Sequence, residues 1–114
     1  MRGIPFTVFE REIVFLTLKN HPRIGEILSW QYNISSINKR VLSEHGFFTE
    51  FIVPVSAMRL NEKSELILNG PSIRINDIKH KARFTIRVHN GALYLLEGQI
   101  IYDNWPHVIE KYSI

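Results

Sequence analysis

Histidine is the residue of this chain best suited to acid–base or metal chemistry near neutral pH. The sequence has five histidines, at positions His21, His45, His80, His89 and His107. None of them has a second histidine or an acidic residue at the spacing of a known metal motif, and the chain has no cysteine. We therefore expect no metal site and no disulfide.

Two histidines can cleave RNA when one acts as base and the other as acid. His80 and His89 are the closest pair, but strand alternation would place an even and an odd position on opposite faces. Phosphate-binding glycine loops and nucleophile elbows are also lacking. The sequence therefore predicts a protein that is not an enzyme and that needs no cofactor. A small enzyme built around Glu97, His80 or Tyr102 stays open as an alternative.

Positive charge is concentrated in one segment of the 114-residue chain. The whole sequence has 14 basic and 11 acidic residues, a formal charge of +3. Between Arg74 and His89, five basic residues stand against a single acid. This segment is consistent with a solvated strand face, with an acidic protein partner or with a nucleic-acid backbone.

Two helices are expected at the start of the chain. Thr7 and Glu10 have the spacing of a capping box, and apolar residues then recur at helical spacing. Pro22 ends this pattern and can begin the next helix. The pattern predicts helices at residues 7–20 and 22–33.

A period of two begins after these helices and predicts strands. The turn at residues 43–46 is followed by a strand that is apolar on both sides, with Phe47 and Phe51 on one side and Phe48 and Ile52 on the other. The helices can cover one side. We expect the C-terminal tail or a partner to cover the other.

Two Asn-Gly pairs predict two-residue hairpin turns, at Asn69-Gly70 and Asn90-Gly91. In the second hairpin, a regular register would place Glu97 opposite Phe84 on the apolar face. A β-bulge at Glu97-Gly98 removes this conflict and returns Tyr102 to the core side. The residues predicted to be buried here are Phe84, Ile86, Val88, Leu93 and Leu95.

The predicted fold class is α+β, with two N-terminal helices packed on a mainly antiparallel sheet of about five or six strands. Residues 1–114 are expected to form a single domain. The longest apolar runs are far shorter than a membrane helix requires, so no membrane span is expected. We expect the protein to be cytoplasmic.

Several short motifs together resemble a family of small bacterial proteins. The motifs are Phe6-Thr7-x-Phe9-Glu10, His21-Pro22, Gln31, Arg40, Gly46-Phe47-Phe48-Thr49-x-Phe51, Asn90-Gly91, Leu96-Glu97-Gly98 and Tyr102-Asp103-x-Trp105-Pro106. The chain is similar in size and in its closing motifs to immunity proteins encoded beside polymorphic or contact-dependent growth-inhibition toxins. In the family the residues after Arg40 usually read Glu, aromatic, Thr, Gly. Here Val41-Leu42-Ser43-Glu44 stands instead, which removes a possible partner of Arg40.

The resemblance implies a protein that binds and neutralises a cognate toxin, and it brings no catalytic residue with it. The alternative is a small nucleic-acid-binding module that uses the basic strand at residues 79–89, although a nucleic-acid partner is the less favoured reading. We predict that the partner contacts Arg83, Arg87, Tyr94, Glu97 and Trp105. The arginines would pair with acids of the partner, Tyr94 would add contact area, Glu97 would lie at the rim, and Trp105 would close the edge of the core.

Overall fold

Two helices precede a six-stranded sheet in the computed structural model, which describes residues 3–61 and 65–114. The elements are α1 (Phe6–Leu18), α2 (Pro22–Ile34), β1 (Ser36–Ser43), β2 (Gly46–Ile52), β3 (Leu66–Ile75), β4 (Ala82–His89), β5 (Ala92–Gln99) and β6 (Tyr112–Ser113). The predicted α+β arrangement is confirmed. Within the described ranges, no helix has the length and apolar character needed to cross a membrane.

The first helix begins in a different way from the one the sequence suggested. It starts at Phe6, directly after Pro5, and no side chain caps it. The predicted capping box of Thr7 and Glu10 is therefore wrong, because the Glu10 side chain is buried against the sheet. The second helix begins at Pro22 as predicted, where the missing backbone N–H costs nothing.

The six strands are antiparallel to their neighbours and lie in the order β1-β2-β5-β4-β3-β6. Both helices pack on one face of this sheet, α1 against β3 and β4, and α2 against β5. The C-terminal segment lies on the same side, since Trp105 packs against Phe9 and the N–H of Ile4 donates to the carbonyl of Ile109 at 2.6 Å. The opposite face of the sheet is not covered by the described chain.

One hydrophobic core fills the space between the helices and the sheet. Its completely buried members are Phe9, Ile13, Leu28, Ile73, Ile75, Ala82, Ile86 and Leu96. The predicted burial of Phe84, Ile86, Val88 and Leu93 is confirmed. The predicted burial of Leu95 is wrong, because Leu95 is only half-buried and Leu96 points into the core instead.

The first and last predicted hairpins are confirmed. Lys39 lies opposite Glu50 across the β1–β2 turn, and Val88 lies opposite Leu93 across the β4–β5 turn. In the second of these turns Asn90 and Gly91 have φ angles of 51° and 76°. Positive φ at both central residues is what a twisted two-residue hairpin requires, and it explains the Asn-Gly pair.

The predicted hairpin at Asn69-Gly70 is wrong. These residues lie inside the continuous strand β3, at an irregularity in its pairing with β4, and neither has a positive φ. A Cβ on Gly70 would lie 2.6 Å from Thr17 Oγ1 and 3.2 Å from Phe84 Cβ. Glycine is therefore needed here for the close approach of α1 and β4, and not for a turn.

The bulge in β5 lies nearer the turn than predicted. Val88 is opposite Leu93, whereas Arg87 is opposite Leu95, so Tyr94 is the extra residue. This shift turns Glu97 away from the core without a bulge at Glu97-Gly98. Tyr102, which was expected on the core side, is 85% exposed.

Candidate functional site

The uncovered face of the sheet, which we call the open sheet face, is formed by three rows of side chains across β1, β2, β5, β4 and β3. The first row is Ser43, Gly46, Gln99, Arg83 and Ser72; the second is Val41, Phe48, Glu97, Thr85 and Asn69; the third is Lys39, Glu50, Leu95, Arg87 and Ile67. A groove of about 930 Å³ runs along it. Small side chains in the first row leave this space open.

Apolar side chains occupy one end of the open sheet face. Val41 on the edge strand is 41% exposed and lies directly opposite Phe48 on β2. Ile52 at the end of β2 is half exposed. These residues lie on the side of the sheet away from the core and are partly exposed to water, with the ammonium of Lys39 lying 5.8 Å from the centroid of the Phe48 ring. Covering them would release about 25 cal/mol for each Å² of apolar surface removed from water.

An ion pair lies beside this apolar group. Nε of Arg87 donates to Oε1 of Glu97 at 2.6 Å, and both side chains are partly exposed. The hydrogen bond to Glu97, together with the carboxylate charge, raises the pKa of Arg87 above its ordinary value. Arg83 is also exposed, but it has no ion-pair partner in residues 3–61 and 65–114. Its charge is therefore available to a ligand.

Much of the remaining basic segment is used by the chain itself. The guanidinium of Arg74 donates to the carbonyl oxygens of Ile78 and Lys79 at 3.0 and 2.9 Å. Nδ1 of His89 lies 3.0 Å from a carboxylate oxygen of Glu65. Only part of the positive charge between residues 74 and 89 is therefore available to bind a partner.

The structure brings four of the five predicted contact residues to one region. Arg83, Arg87 and Glu97 lie together on the open sheet face, and Tyr94 stands at the bulge near its turn end, 41% exposed. Trp105 does not join them. It is 7% exposed and packs with three phenylalanines on the core side of the sheet.

Val41 and Phe48 were not among the predicted contact residues. The signal was present, since β2 is apolar on both sides. What was missing was the pairing of β2 with β5, which places Phe48 opposite Glu97 although 49 positions separate them. A pairing between such distant segments cannot be deduced from local periodicity.

A buried polar network lies beneath the first two strands. Nη2 of Arg40 donates to both carboxylate oxygens of Glu10 at 2.9 and 3.0 Å, and the Thr49 hydroxyl donates to Glu10 Oε2 at 2.6 Å. The guanidinium of Arg40 also lies over the ring of Phe6, 4.7 Å from its centroid. The partner of Arg40 is therefore on α1, and the altered residues after Arg40 do not leave it unpaired.

A second buried group links α2 to the β4–β5 turn. Nε2 of Gln31 donates to the carbonyl oxygens of Met58 and Gly91 at 2.8 and 3.0 Å, and its Oε1 accepts from the N–H of Leu93 at 2.8 Å. Every polar atom of this completely buried amide thus serves backbone groups. Gln31 and the Glu10 network stabilise the fold through these buried hydrogen bonds. The exposed residues of the open sheet face make no such buried hydrogen bonds within the described chain.

The described residues contain no group of three or more histidines and acids that could hold a metal ion. Comparison with protein-family models, with curated proteins and with solved structures finds no match to this chain. The motif residues nevertheless meet in space, since Phe47 pairs with Gly98 and Thr49 with Leu96. The open sheet face is therefore the candidate binding surface.

Proposed function

We propose that this chain is an immunity-type protein, which neutralises a protein toxin by binding it through the open sheet face. The observation that carries the proposal is the exposed Val41 next to the partly exposed Phe48, in the same groove as the free charge of Arg83. Protein interfaces combine an apolar centre with a polar rim in this way. The resemblance of the closing motifs to those of immunity proteins led to the same proposal.

The size of the open sheet face suits such an interface. Five strands about 4.8 Å apart, of seven to ten residues, paired over about seven or eight residues that rise about 3.3 Å each, span roughly 500 to 600 Å² before side-chain relief is counted. A stable complex buries about 800 Å² on each partner. The face and its rim can supply that area without a change of fold.

The charges of the face indicate what the partner should present. Arg87 is already paired with Glu97, so this pair can enter an interface as a neutral unit. Arg83 needs a carboxylate from the partner, which its planar guanidinium can bind at two points. The matching surface of the toxin should therefore be apolar where it covers Phe48 and acidic where it meets Arg83.

The alternative function is nucleic-acid binding by the strand at residues 79–89. Internal pairing of Arg87, Arg74 and His89 leaves Lys79, Lys81 and Arg83 as the cations of this segment without an ion-pair partner among the described residues. With so few phosphate contacts, binding would be weak, and log K would fall with log[salt] with a slope of about 0.9 for each contact. A complex centred on Val41 and Phe48 would tolerate salt far better, because burial of apolar surface does not depend on ionic strength.

Co-expression with the product of the gene immediately upstream, which is where we expect the cognate toxin to be encoded, tests the proposal. The wild-type chain should protect cells, and Val41→Glu should abolish protection because it places an unpaired charge in the interface. Leu42→Glu is the matched control: this neighbour is more exposed, at 64%, but lies opposite Phe47 on the other side of the sheet. Equal protection by both variants, or no protection by the wild type, would refute the proposal.

The charge requirement is tested separately with Arg83→Glu. We expect it to weaken toxin binding by at least tenfold, because it puts two like charges together. Arg23→Glu, on the exposed surface of α2, makes the same charge change away from the face and should leave the affinity unchanged. Circular dichroism melts of both variants show whether either change unfolds the protein.

A further inference from the structure

A second, smaller cavity lies where β4 begins and β5 ends. It has a volume of about 340 Å³, and its polar lining is Ser72, His80, Lys81, Arg83, Gln99 and Tyr102. Three of these residues, Ser72, Arg83 and Gln99, also line the groove of the open sheet face, so the two spaces are continuous. We call this cavity the His80 pocket.

His80 is held in one orientation by Asp103. Its Nδ1 lies 2.7 Å from Oδ2 of Asp103, and the same oxygen accepts from the His80 backbone N–H at 3.2 Å. The hydrogen bond from His80 lowers the pKa of Asp103 below its usual value. The carboxylate is therefore ionised at neutral pH and can only accept, which assigns the hydrogen to Nδ1 and leaves Nε2 free.

Tyr102 is placed beside this histidine by an unfavourable backbone conformation. Its φ is 73°, a region that bulky residues rarely occupy, and its side chain is 85% exposed. The two rings lie with centroids 5.7 Å apart. Core packing does not explain this strained conformation. Strain of this kind is concentrated at functional sites, where the surrounding structure maintains it.

The His80 pocket has an excess of positive charge. Lys81 and Arg83 are exposed and form no ion pair with residues 3–61 or 65–114. No carboxylate is among the residues that line the cavity, and the nearby Asp103 is engaged by His80. The lining therefore offers two cations together with hydroxyl and amide donors.

We infer that the His80 pocket binds a phosphate group of a phosphate ester. Lys81 and Arg83 supply the charge, and Ser72, Gln99 and Tyr102 supply donors around a tetrahedral anion. A phosphate has three or more acceptor oxygens pointing in different directions, whereas a carboxylate has two in one plane. The distribution of donors over β3, β4 and the segment after β5 favours the phosphate. This inference stands without the proposed toxin partner.

The probe is inorganic phosphate, titrated into the full chain at constant ionic strength and followed by ¹H–¹⁵N spectra. We expect saturable shifts at His80, Lys81, Gln99 and Tyr102. Acetate should produce shifts that do not saturate in the same range. Equal saturation by acetate, or shifts spread over lysines and arginines elsewhere on the surface, would overturn the inference.

Two variants locate the site. Arg83→Gln and Lys81→Gln should each weaken phosphate binding about tenfold, as expected for the loss of one charged contact. Arg23→Gln on α2 is the control and should keep the wild-type affinity. Wild-type affinity in both pocket variants would overturn the inference. Each variant tests the site independently, so the inference stays testable if one of them fails to fold.

Methyl phosphate and dimethyl phosphate then distinguish the source of the ligand. Tighter binding of the monoester would indicate a small phosphorylated metabolite, and equal binding of the diester would indicate a nucleic-acid backbone. Either result supports the pocket, whereas failure of both esters to compete with inorganic phosphate would contradict it. Arg83 belongs to both proposed sites, so the two functions are separated with Lys81→Gln: toxin protection by this variant after it has lost phosphate binding would show that they are independent.

Discussion

Replacement of Glu10 by glutamine should be one of the most damaging conservative changes in this protein. The Glu10 side chain is 2% exposed and accepts hydrogen bonds from Arg40 and from Thr49. Glutamine has almost the same shape, but it removes the negative charge and turns one acceptor into a donor. The guanidinium of Arg40 would then be left in the protein without its counter-charge.

The expected cost follows from the burial of the pair. Breaking a buried ion pair by removing one partner costs about 3 to 5 kcal/mol. The Arg40 side chain is 26% exposed, so water can hydrate part of its charge, and the lower end of this range applies. We expect Glu10→Gln to cost about 3 kcal/mol, which corresponds to about 12 °C in Tm for a chain of this length.

Urea unfolding followed by circular dichroism measures this cost, and a double variant tests its origin. Replacing both Glu10 and Arg40 by methionine removes both charges and keeps the volume filled. This variant should lie within about 1 to 2 kcal/mol of the wild type, the remaining loss coming from the unpaired hydroxyl of Thr49. A cost below about 1 kcal/mol for Glu10→Gln, or a double variant as unstable as the summed single variants Glu10→Met and Arg40→Met, would refute the reasoning.

Three further predictions concern the core, a glycine and pH. Phe84→Ala should lower the free energy of unfolding in urea by about 3 to 5 kcal/mol, because Phe84 is buried in the core. Arg87→Gln should lower it by less than about 1 kcal/mol, because the ion pair of Arg87 is exposed. Similar losses in the two variants would mean that the faces of β4 are reversed. Gly98→Ala should lower stability by about 1 to 3 kcal/mol, since a new Cβ would lie 2.9 Å from a ring carbon of Phe84; an unchanged Tm would contradict this packing. The pKa of Asp103 is lowered by its hydrogen bond from His80, so its stabilisation is present above about pH 4 and is lost as the pH falls through the folded-state pKa. The urea midpoint of Asp103→Asn should therefore differ from that of the wild type more at pH 6 than at pH 3, and a constant difference would show that the carboxylate charge is not involved.

The two Asn-Gly pairs show what local sequence can and cannot determine. At Asn90-Gly91 the pair occupies a hairpin turn with positive φ angles, as predicted. At Asn69-Gly70 the same pair lies inside a strand, because α1 and β4 approach too closely for a side chain. The turn depends on local backbone conformation, whereas the strand position depends on contacts with distant residues. Only the first kind of information is present in a short stretch of sequence.

The candidate site was predictable to a similar extent. Alternation along β4 correctly grouped Arg83 with Arg87 on one face, and the conflict at Glu97 correctly required a bulge. The bulge lies at Tyr94 rather than at Glu97, because its position is decided by which leucine packs in the core. Phe48 joined the site through strand pairing, which the sequence does not encode locally.

The interlocking of the two ends of the described chain has a consequence during synthesis on the ribosome. The apolar side of α1 is closed by Trp105 and Tyr112, which pack against Phe9. At about 5 to 20 residues per second, the ribosome needs roughly 5 to 20 s to proceed from the end of α1 to Tyr112. The side of Phe9 that Trp105 and Tyr112 cover stays without that cover throughout the interval, even after β3 and β4 are available to pack on α1. Loss of residues 105–112 would leave this side of Phe9 exposed in the folded protein.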